Sequence, residues 1–399
     1  MNAEIIAVGS ELLLGQIVDT NSTVIARHFA AIGLDLFYKT TVGDNLQRLS
    51  GVLRQALARS EVVVTTGGIG PTADDVTREA VAEATGRELV FSEELWRQIE
   101  AFFAARGMTA SASNRRQAYL PRGALAVENP LGTAPAFIVE HGDRTIVTLP
   151  GVPREMEHLL VTRVIPHLRR RLGLRGEIRL RVLKTVGLGE SRIGERLADF
   201  MEKGANPTVG TLAHPGQVDI RIAAKAEDGR ACEALIAPVE AEIRRRLGDH
   251  VFGVDEATLE GVVSERLRAA AARVAVVEVG TAGVVAARLA PAAAESLAAS
   301  LVLPDVDAAR RVGLGLPDGD DPERRAGRLA QEAAQWAGVA VGAAALIEAP
   351  GDGSATVAAA VSLNGESRTK TWRLGGDPAS TRLRAAVLLL DHLRRALPG

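Results

Sequence analysis

The sequence contains very little cysteine and few aromatic residues. Cys232 is the single cysteine among 399 residues, and a lone cysteine cannot form an intrachain disulfide. Its position in an alanine-containing helical stretch predicts an unreactive core side chain. The seven histidines are dispersed, and none forms a close pair such as H-x-x-x-H. The sequence therefore predicts no zinc site.

Long apolar runs and a strong net charge are also missing. No stretch reaches about 18 apolar residues, and the first residues lack a basic segment followed by a long apolar one. We therefore expect a cytoplasmic protein with no membrane partner. The formal net charge is −2, which gives no general attraction to nucleic acid, so no nucleic-acid partner is expected.

The length and the pattern of apolar runs predict several domains. With 399 residues, the chain exceeds one ordinary hydrophobic core. Strand and helix patterns alternate at first, change to long alternating strands near Gly176, and alternate again after Asp255. We predict an α/β protein with a three-layer first domain at 1–172, a small α+β module at 173–255 and a C-terminal α/β domain at 256–399.

The segment 65–77, TTGGIGPTADDVT, is the most informative motif. It follows the apolar run 62–64, which predicts a buried strand, and it precedes a helical pattern. Gly67, Gly68 and Gly70 would let backbone N–H groups approach an anion at a helix N-terminus. The segment therefore predicts a phosphate-binding turn.

Two carboxylates follow these glycines. Asp74 and Asp75 would repel a phosphate at the same turn unless a divalent cation lay between them. Together with the backbone around Thr72, they predict a joint phosphate and metal site. The same aspartates would also stabilise the first turn of an ordinary helix, and this alternative stays open.

Further acidic residues follow other predicted strands. Glu11 follows the first strand and Asp44 the second, as Asp75 follows the third. Ligands of open α/β sheets bind at the carboxyl ends of the strands, so these carboxylates are expected to converge on one cleft. Taken singly, each of these carboxylates is also typical of the start or cap of a helix. Asp44, Asp74, Asp75 and Glu11 are the predicted ligands of a divalent metal, with Mg²⁺, Mn²⁺ and Co²⁺ not distinguished.

Two loops rich in glycine and proline adjoin the predicted site. NPLGTAPAF begins at Asn129 and contains Gly132 and Thr133, and LPGVPREM contains Pro150 and Gly151. Such rigid loops can present backbone donors to an anion, although a structural turn is their commoner use.

Two further segments have an open interpretation. In NRRQA, Arg115 and Arg116 can clamp a phosphate through charge-assisted hydrogen bonds, or they form a solvated helix face. The GLGES segment at 187–191 joins a predicted strand to a predicted helix. It indicates a helix cap, with ligand binding as the alternative.

The motifs together resemble those of the CinA family of competence- and damage-inducible proteins. The resemblance rests on GSELLLGQIVDTN, TVGDN, TTGGIGPTADDVT, NRRQA, NPLGTAP and LPGVPREM, in that order. It implies a first domain similar to the molybdopterin-binding domains of molybdenum cofactor biosynthesis, followed by a KH-like module. Asp44 and Asp75 match positions that are acidic and functional in pterin-binding relatives.

The resemblance also implies an activity, the metal-dependent hydrolysis of ADP-ribose to AMP and ribose 5-phosphate. Asp44 and Asp75 are then the expected catalytic residues. The expected substrate contacts are Gly67, Gly68, Gly70, Thr72, Arg116, Asn129, Gly132, Thr133, Pro150 and Gly151. A nucleotide diphosphate is the expected partner and a homodimer the expected assembly. The same residues suit a non-hydrolytic pterin or nucleotide-binding module, or a competence-associated scaffold.

The C-terminal domain departs from the family pattern. There the resemblance implies a nicotinamide-nucleotide deamidase with a motif close to A-E-S-C-T-G-G, whereas the matching segment reads VVEVGTAGVVAARL. Val279 replaces the nucleophilic serine and Gly280 the cysteine. Further on, Asp305 replaces a tyrosine and Arg310 a lysine. Valine cannot form an acyl-enzyme and arginine stays protonated, so we expect a deamidase fold without deamidase activity.

Overall fold

The computed structural model describes residues 1–201, 206–316, 321–348 and 354–398. The chain divides into two compact units, one of Met1–Arg179 with Lys225–Glu233 and the other of Leu180–Ala224 with Ala234–Gly399. Both units combine sheets with helices, which confirms the predicted α/β class. The predicted domain boundaries after 172 and 255 stay a prediction.

A six-stranded sheet forms the centre of the first unit. The strands of this unit are β1 (Asn2–Val8), β2 (Asp35–Val42), β3 (Val62–Thr66), β4 (Leu89–Phe91), β5 (Tyr119–Pro121), β6 (Leu125–Val127), β7 (Ala136–His141) and β8 (Arg144–Leu149). The sheet order is β2-β1-β3-β8-β7-β6, and β4 pairs with β5 separately. Strands β2, β1, β3 and β8 run parallel, so their carboxyl ends lie at one edge of the sheet.

Helices cover both faces of this sheet. They are α1 (Ser10–Leu13), α2 (Asn21–Ala30), α3 (Leu46–Arg59), α4 (Thr77–Thr85), α5 (Glu93–Ala104), α6 (Pro153–Leu159) and α7 (Ile165–Leu172), with a π-helical turn at Leu160–Val164 and a 3-10 helix at Ala112–Ala118. Ile5 packs with Phe29 in one core. Its neighbour Ile6 packs with Leu49 in another. Because successive strand side chains point to opposite faces, this pattern produces the predicted three layers.

The elements between 177 and 254 form a second, four-stranded sheet. They are β9 (Glu177–Val186), α8 (Glu190–Arg196), β10 (Thr208–His214), β11 (Gln217–Ala226), α9 (Gly229–Leu247) and β12 (Val251–Val254), with sheet order β10-β11-β9-β12. The GLGES segment joins β9 to α8, with Gly189 at the N-cap position. Cys232 is buried in α9, as predicted.

A third sheet of five strands completes the second unit. Its elements are α10 (Leu259–Ala269), β13 (Val274–Val279), α11 (Val284–Ala293), β14 (Leu297–Leu303), α12 (Val306–Arg311), α13 (Pro322–Ala337), β15 (Val341–Glu348), β16 (Ser354–Leu363), β17 (Glu366–Gly375) and α14 (Pro378–Ala396). The order is β14-β13-β15-β16-β17, with β13 parallel to both of its neighbours. No helix in the described ranges combines the length and the apolar character that crossing a bilayer requires.

Candidate functional site

The loops that follow β1, β2, β3 and β8 meet at the carboxyl edge of the six-stranded sheet. Ser10 donates to Oδ2 of Asp44 through its backbone N–H at 2.7 Å and its hydroxyl at 2.8 Å, which joins the loops after β1 and β2. The N–H of Gly67 donates to the Leu149 carbonyl at 3.1 Å, which joins the loops after β3 and β8. The structure thus places the Asp44 loop and the glycine loop at the same edge.

The glycines at the start of the 67–75 loop are required by its packing. Gly67 and Gly68 are left-handed, with φ of 104° and 66°. A Cβ on Gly67 would lie 2.2 Å from the Val8 carbonyl oxygen, and a Cβ on Gly68 would lie 2.2 Å from Thr77 Oγ1. That hydroxyl donates to the Gly67 carbonyl at 2.9 Å. Packing alone therefore requires glycine at both positions, whether or not the loop binds a ligand.

This packing predicts a large loss of stability for Gly67→Ala. We expect the free energy of unfolding to fall by about 2–5 kcal/mol, because backbone strain and steric overlap add. Gly86→Ala is the matched control, since Gly86 is also left-handed, at φ 66°, but has no atom within 4 Å of the new Cβ. That substitution should cost about 1 kcal/mol. Urea unfolding measures both, and equal losses would contradict the packing argument.

The Asp75 carboxylate is bound inside its own loop. Oδ1 accepts from the Gly70 N–H at 2.7 Å, and Oδ2 accepts from the Thr72 N–H at 2.8 Å and from the Thr72 hydroxyl. A Cβ on Gly70 would lie 2.6 Å from Oδ2, which explains the third glycine. Helix α4 begins only at Thr77. Asp75 therefore orders the loop before the helix rather than the first helical turn.

Arg78 is a residue that the sequence analysis missed. The residue is only 3% exposed, and its guanidinium, buried beneath the loop, donates to the carbonyls of Ile69 at 2.5 Å and Gly70 at 2.8 Å. Burial lowers the pKa of Arg78 to about 10, so the group stays charged in neutral solution. A cation in the first helical turn interacts unfavourably with the helix dipole. This unfavourable position is the sequence signal by which Arg78 could have been found.

The contacts of Arg78 predict that it stabilises the glycine loop. Arg78→Met should lower the free energy of unfolding by about 2–4 kcal/mol, because two carbonyls lose a buried partner. Arg54→Met is the control, since among the described residues Arg54 pairs only with Glu83, at 3.3 Å on the surface. Its loss should be below about 1 kcal/mol. If urea denaturation gives the same loss of unfolding free energy for both variants, Arg78 does not specifically stabilise the glycine loop.

Arg116 reaches the same loop from the 3-10 helix at Ala112–Ala118. It donates to the Thr72 carbonyl at 2.8 Å and pairs with Glu79 at 3.0 Å. The nearby Thr72 side chain and the charge of Arg116 lower the pKa of the exposed Asp74. Arg115 instead lies over aromatic rings, 4.5 Å from the ring centre of Phe91. Of the two arginines, only Arg116 is placed at the predicted phosphate turn.

The carboxylates at this edge do not form a complete metal site by themselves. Within the described ranges, no group of three or more His, Cys, Asp or Glu side chains is arranged to hold a metal alone. Both hydrogen bonds to the Asp44 carboxylate end on Oδ2, which leaves Oδ1 available. Glu11 is exposed and folds over Gly9. Since Mg²⁺ typically takes one or two carboxylates and completes its shell with phosphates and water, Asp44 and Asp75 suit such a shared site.

Asn21, another missed residue, ties the end of β3 to the loop after β8. Its Nδ2 donates to Thr66 Oγ1 at 2.9 Å and to the Gly151 carbonyl at 2.8 Å, and Thr66 Oγ1 donates to the Pro150 carbonyl at 3.0 Å. Because a carbonyl can only accept, the amide nitrogen must face Gly151. Oδ1 of Asn21 is buried and has no partner among the described residues. An acceptor is therefore left at this edge for a ligand hydroxyl or N–H.

The Asn129 loop borders a different cleft. Asn129, Gly132 and Thr133 line a space of about 380 Å³ whose other wall is α5. Nδ2 of Asn129 donates to Glu155 Oε2 at 2.6 Å, and a Cβ on Gly132 would lie 2.3 Å from that oxygen. The sequence analysis gave Glu155 no role. The structure thus divides the predicted contacts between the sheet edge and this cleft.

The segment after β13 contains no exposed nucleophile. Val279 ends the strand and is fully buried, and Gly280 follows with φ of 77°. Glu278 accepts from the Thr281 hydroxyl at 2.6 Å and from the backbone N–H of Val285 at 2.9 Å. Glu278 therefore orders this loop and the start of α11.

Comparison with known proteins gives two family matches and full-length relatives. The family described as "probable molybdopterin binding domain" matches residues 4–170, and "damage-inducible protein CinA KH domain" matches residues 180–253. A CinA-like protein of Dictyoglomus thermophilum is 37% identical over 411 residues, covering 100% of this chain and 99% of the relative. A CinA-like protein of Kosmotoga olearia is 35% identical over 410 residues, with the same two coverages.

One solved structure is also similar in sequence. The protein CinA from Thermoplasma acidophilum is 34% identical, covers 42% of this chain and 96% of its own, and gives a TM-score of 0.39.

Proposed function

The chain belongs to the CinA family of competence- and damage-inducible proteins, and we propose that it is a metal-dependent hydrolase that splits ADP-ribose into AMP and ribose 5-phosphate. Its first domain is of the molybdopterin-binding type and is followed by a KH domain. The hydrolytic site we propose lies in the first of these domains.

One edge of the six-stranded sheet supports this proposal by combining two carboxylates with a buried cation. Asp44 follows β2 and Asp75 follows β3, the two strands that flank β1, and Arg78 lies beneath the glycine loop. The carboxylates suit a divalent cation, and the buried charge favours an anion bound on the same loop. A diphosphate with its metal presents both kinds of partner.

Two groups of residues would bind the metal and the diphosphate, and a third would hold the phosphate-binding turn. A divalent cation held by Asp44 and Asp75 would neutralise charge on the diphosphate and lower the pKa of a coordinated water molecule. The N–H groups of Gly70 and Thr72, which now bind the Asp75 carboxylate, form a turn that can bind a phosphate oxygen instead. Arg116 holds that turn through the Thr72 carbonyl.

The sugar would be oriented by the unpaired acceptor at the sheet edge. Oδ1 of Asn21 can accept from a ribose hydroxyl, while its Nδ2 stays bound to Gly151. The Pro150 and Gly151 carbonyls border the same place. The remainder of the substrate would lie in the cleft at Asn129, whose loop is tied through Glu155 to α6, the helix that follows Gly151.

The test is incubation of the purified protein with ADP-ribose and a panel of divalent cations, followed by chromatography. We expect equal amounts of AMP and ribose 5-phosphate, and none after chelation of the metal. Asp44→Asn should lower turnover by about a hundredfold or more. No AMP with any cation would contradict hydrolysis.

A non-hydrolytic site is the second candidate, and the bound state of the Asp75 carboxylate favours it. A carboxylate that already satisfies two backbone N–H groups has a role in shaping a binding loop even without a metal. Under this alternative, calorimetry would detect ADP-ribose or a pterin binding without turnover. For either candidate we propose a cytoplasmic homodimer. Light scattering, which measures the molar mass in solution, tests the dimer.

A further inference from the structure

A cleft of about 330 Å³ opens within the second unit, between the second sheet and the helices α10 and α11. Its walls carry five ionisable side chains, namely Lys184, His214, Asp219, Glu260 and Arg288. None of these residues belongs to the site proposed above. A cleft lined by several ionisable side chains is a candidate site for a charged ligand.

The carboxylates of this cleft lie behind its cations. Oδ2 of Asp219 accepts from Lys184 Nζ at 2.8 Å and lies 3.3 Å from His214 Nε2, and Glu260 pairs with Nε of Arg288. The exposed fractions are 13% and 11% for the Asp219 and Glu260 side chains, against 23%, 45% and 25% for Lys184, His214 and Arg288. The carboxylates therefore orient Lys184 and Arg288, and the basic side chains are the more exposed members of each pair.

Donors are left over on this surface. An ammonium group has three N–H donors and a guanidinium group five. In the described part of the chain, Lys184 uses one donor on Asp219 and Arg288 uses Nε on Glu260. Gln217 also lines the cleft, and its Nε2 is buried without a partner among the described residues. A buried donor without a partner costs about 1–3 kcal/mol, which an acceptor on a ligand would recover.

We propose that this cleft binds the phosphate group of a small phosphorylated metabolite. The free donors come from opposite walls, Lys184 and Gln217 from the second sheet and Arg288 from α11. A phosphate monoester presents three oxygens in different directions and can reach both walls, whereas a carboxylate presents two oxygens in one plane. Apolar side chains of Phe252, Leu259 and Leu383 complete the lining and accommodate the organic part.

The side-chain amide of Gln217 allows a local test in the full-length protein. Its NMR cross-peak is assigned by its disappearance in Gln217→Leu and is then followed during titration with inorganic phosphate or with acetate. We expect a saturable shift with phosphate and no shift with acetate. Because this signal reports on Gln217 and its surroundings, and not on the edge of the six-stranded sheet, the outcome does not depend on ADP-ribose hydrolysis.

Variants complete the test. Lys184→Gln should weaken phosphate binding, read from the same amide, about tenfold by removing one charged donor. Gln331→Leu is the matched control, since Gln331 donates to the Gly365 carbonyl outside the cleft, and it should leave the affinity unchanged. No shift with phosphate, an equal shift with acetate, or an equal loss in Gln331→Leu would each overturn the proposal.

Discussion

Asp75→Asn is expected to reduce ADP-ribose hydrolysis by about a thousandfold or more, the largest loss from any single substitution at the sheet edge. The carboxylate has two tasks, since it accepts from Gly70 and Thr72 in the free protein and would contribute charge to the metal when the substrate is bound. Asparagine has one acceptor oxygen and no charge. It cannot satisfy both N–H groups, and it is a poor ligand for a hard cation.

The same contacts predict a smaller, separate effect on stability. Loss of one hydrogen bond in the loop should lower the free energy of unfolding by about 1–2 kcal/mol, too little to unfold the domain. Asp74→Asn is the matched control. Asp74 is exposed and makes no hydrogen bond to the loop glycines in the described structure, so its turnover should stay within about fivefold of the wild type. If Asp75→Asn hydrolyses ADP-ribose at the wild-type rate, Asp75 has no part in the mechanism.

The sheet edge was predictable because it depends on local patterns and one general rule. Short apolar runs such as 62–64 specify buried strands, and parallel strands place their following loops at one edge. Asp44 and the glycine loop could therefore be brought together from the sequence. The three-layer architecture follows from the same alternation, since Ile5 and Ile6 must face different helices.

The details of the site depend on contacts between distant loops, which no local pattern specifies. Asn21 is positioned by Gly151, which is 130 residues away in the chain. Glu155 is placed against Asn129 by the way in which α6 packs. The direction of the Asp75 carboxylate, into its own loop, depends on the conformation of the residues from Gly70 to Asp75. Of these residues, Arg78 alone could have been recognised in the sequence, because a cation is unfavourable in the first turn of a helix.

The full-length protein is expected to release no ammonia from nicotinamide mononucleotide. Val279 has no nucleophilic atom, and Arg310, which pairs with Asp307 at 3.1 Å, stays protonated and cannot act as a base. The one hydroxyl between 279 and 283 belongs to Thr281, which is fully buried and donates to Glu278 at 2.6 Å. Loss of an activated nucleophile reduces turnover by on the order of 10⁶, so the rate should equal that of buffer.

Restoring a serine at position 279 should also fail, and the structure gives a stronger reason than the missing base. Val279 is the last residue of β13, pairs with Leu303 and Leu346 on the two neighbouring strands, and is 0% exposed. A serine there would place its hydroxyl in the apolar core, where no substrate carbonyl can reach it. An ammonia assay on the wild type, Val279→Ser and Thr281→Val checks this. Release by Val279→Ser alone would show that position 279 is accessible, and release by the wild type that Thr281→Val abolishes would show an active threonine nucleophile.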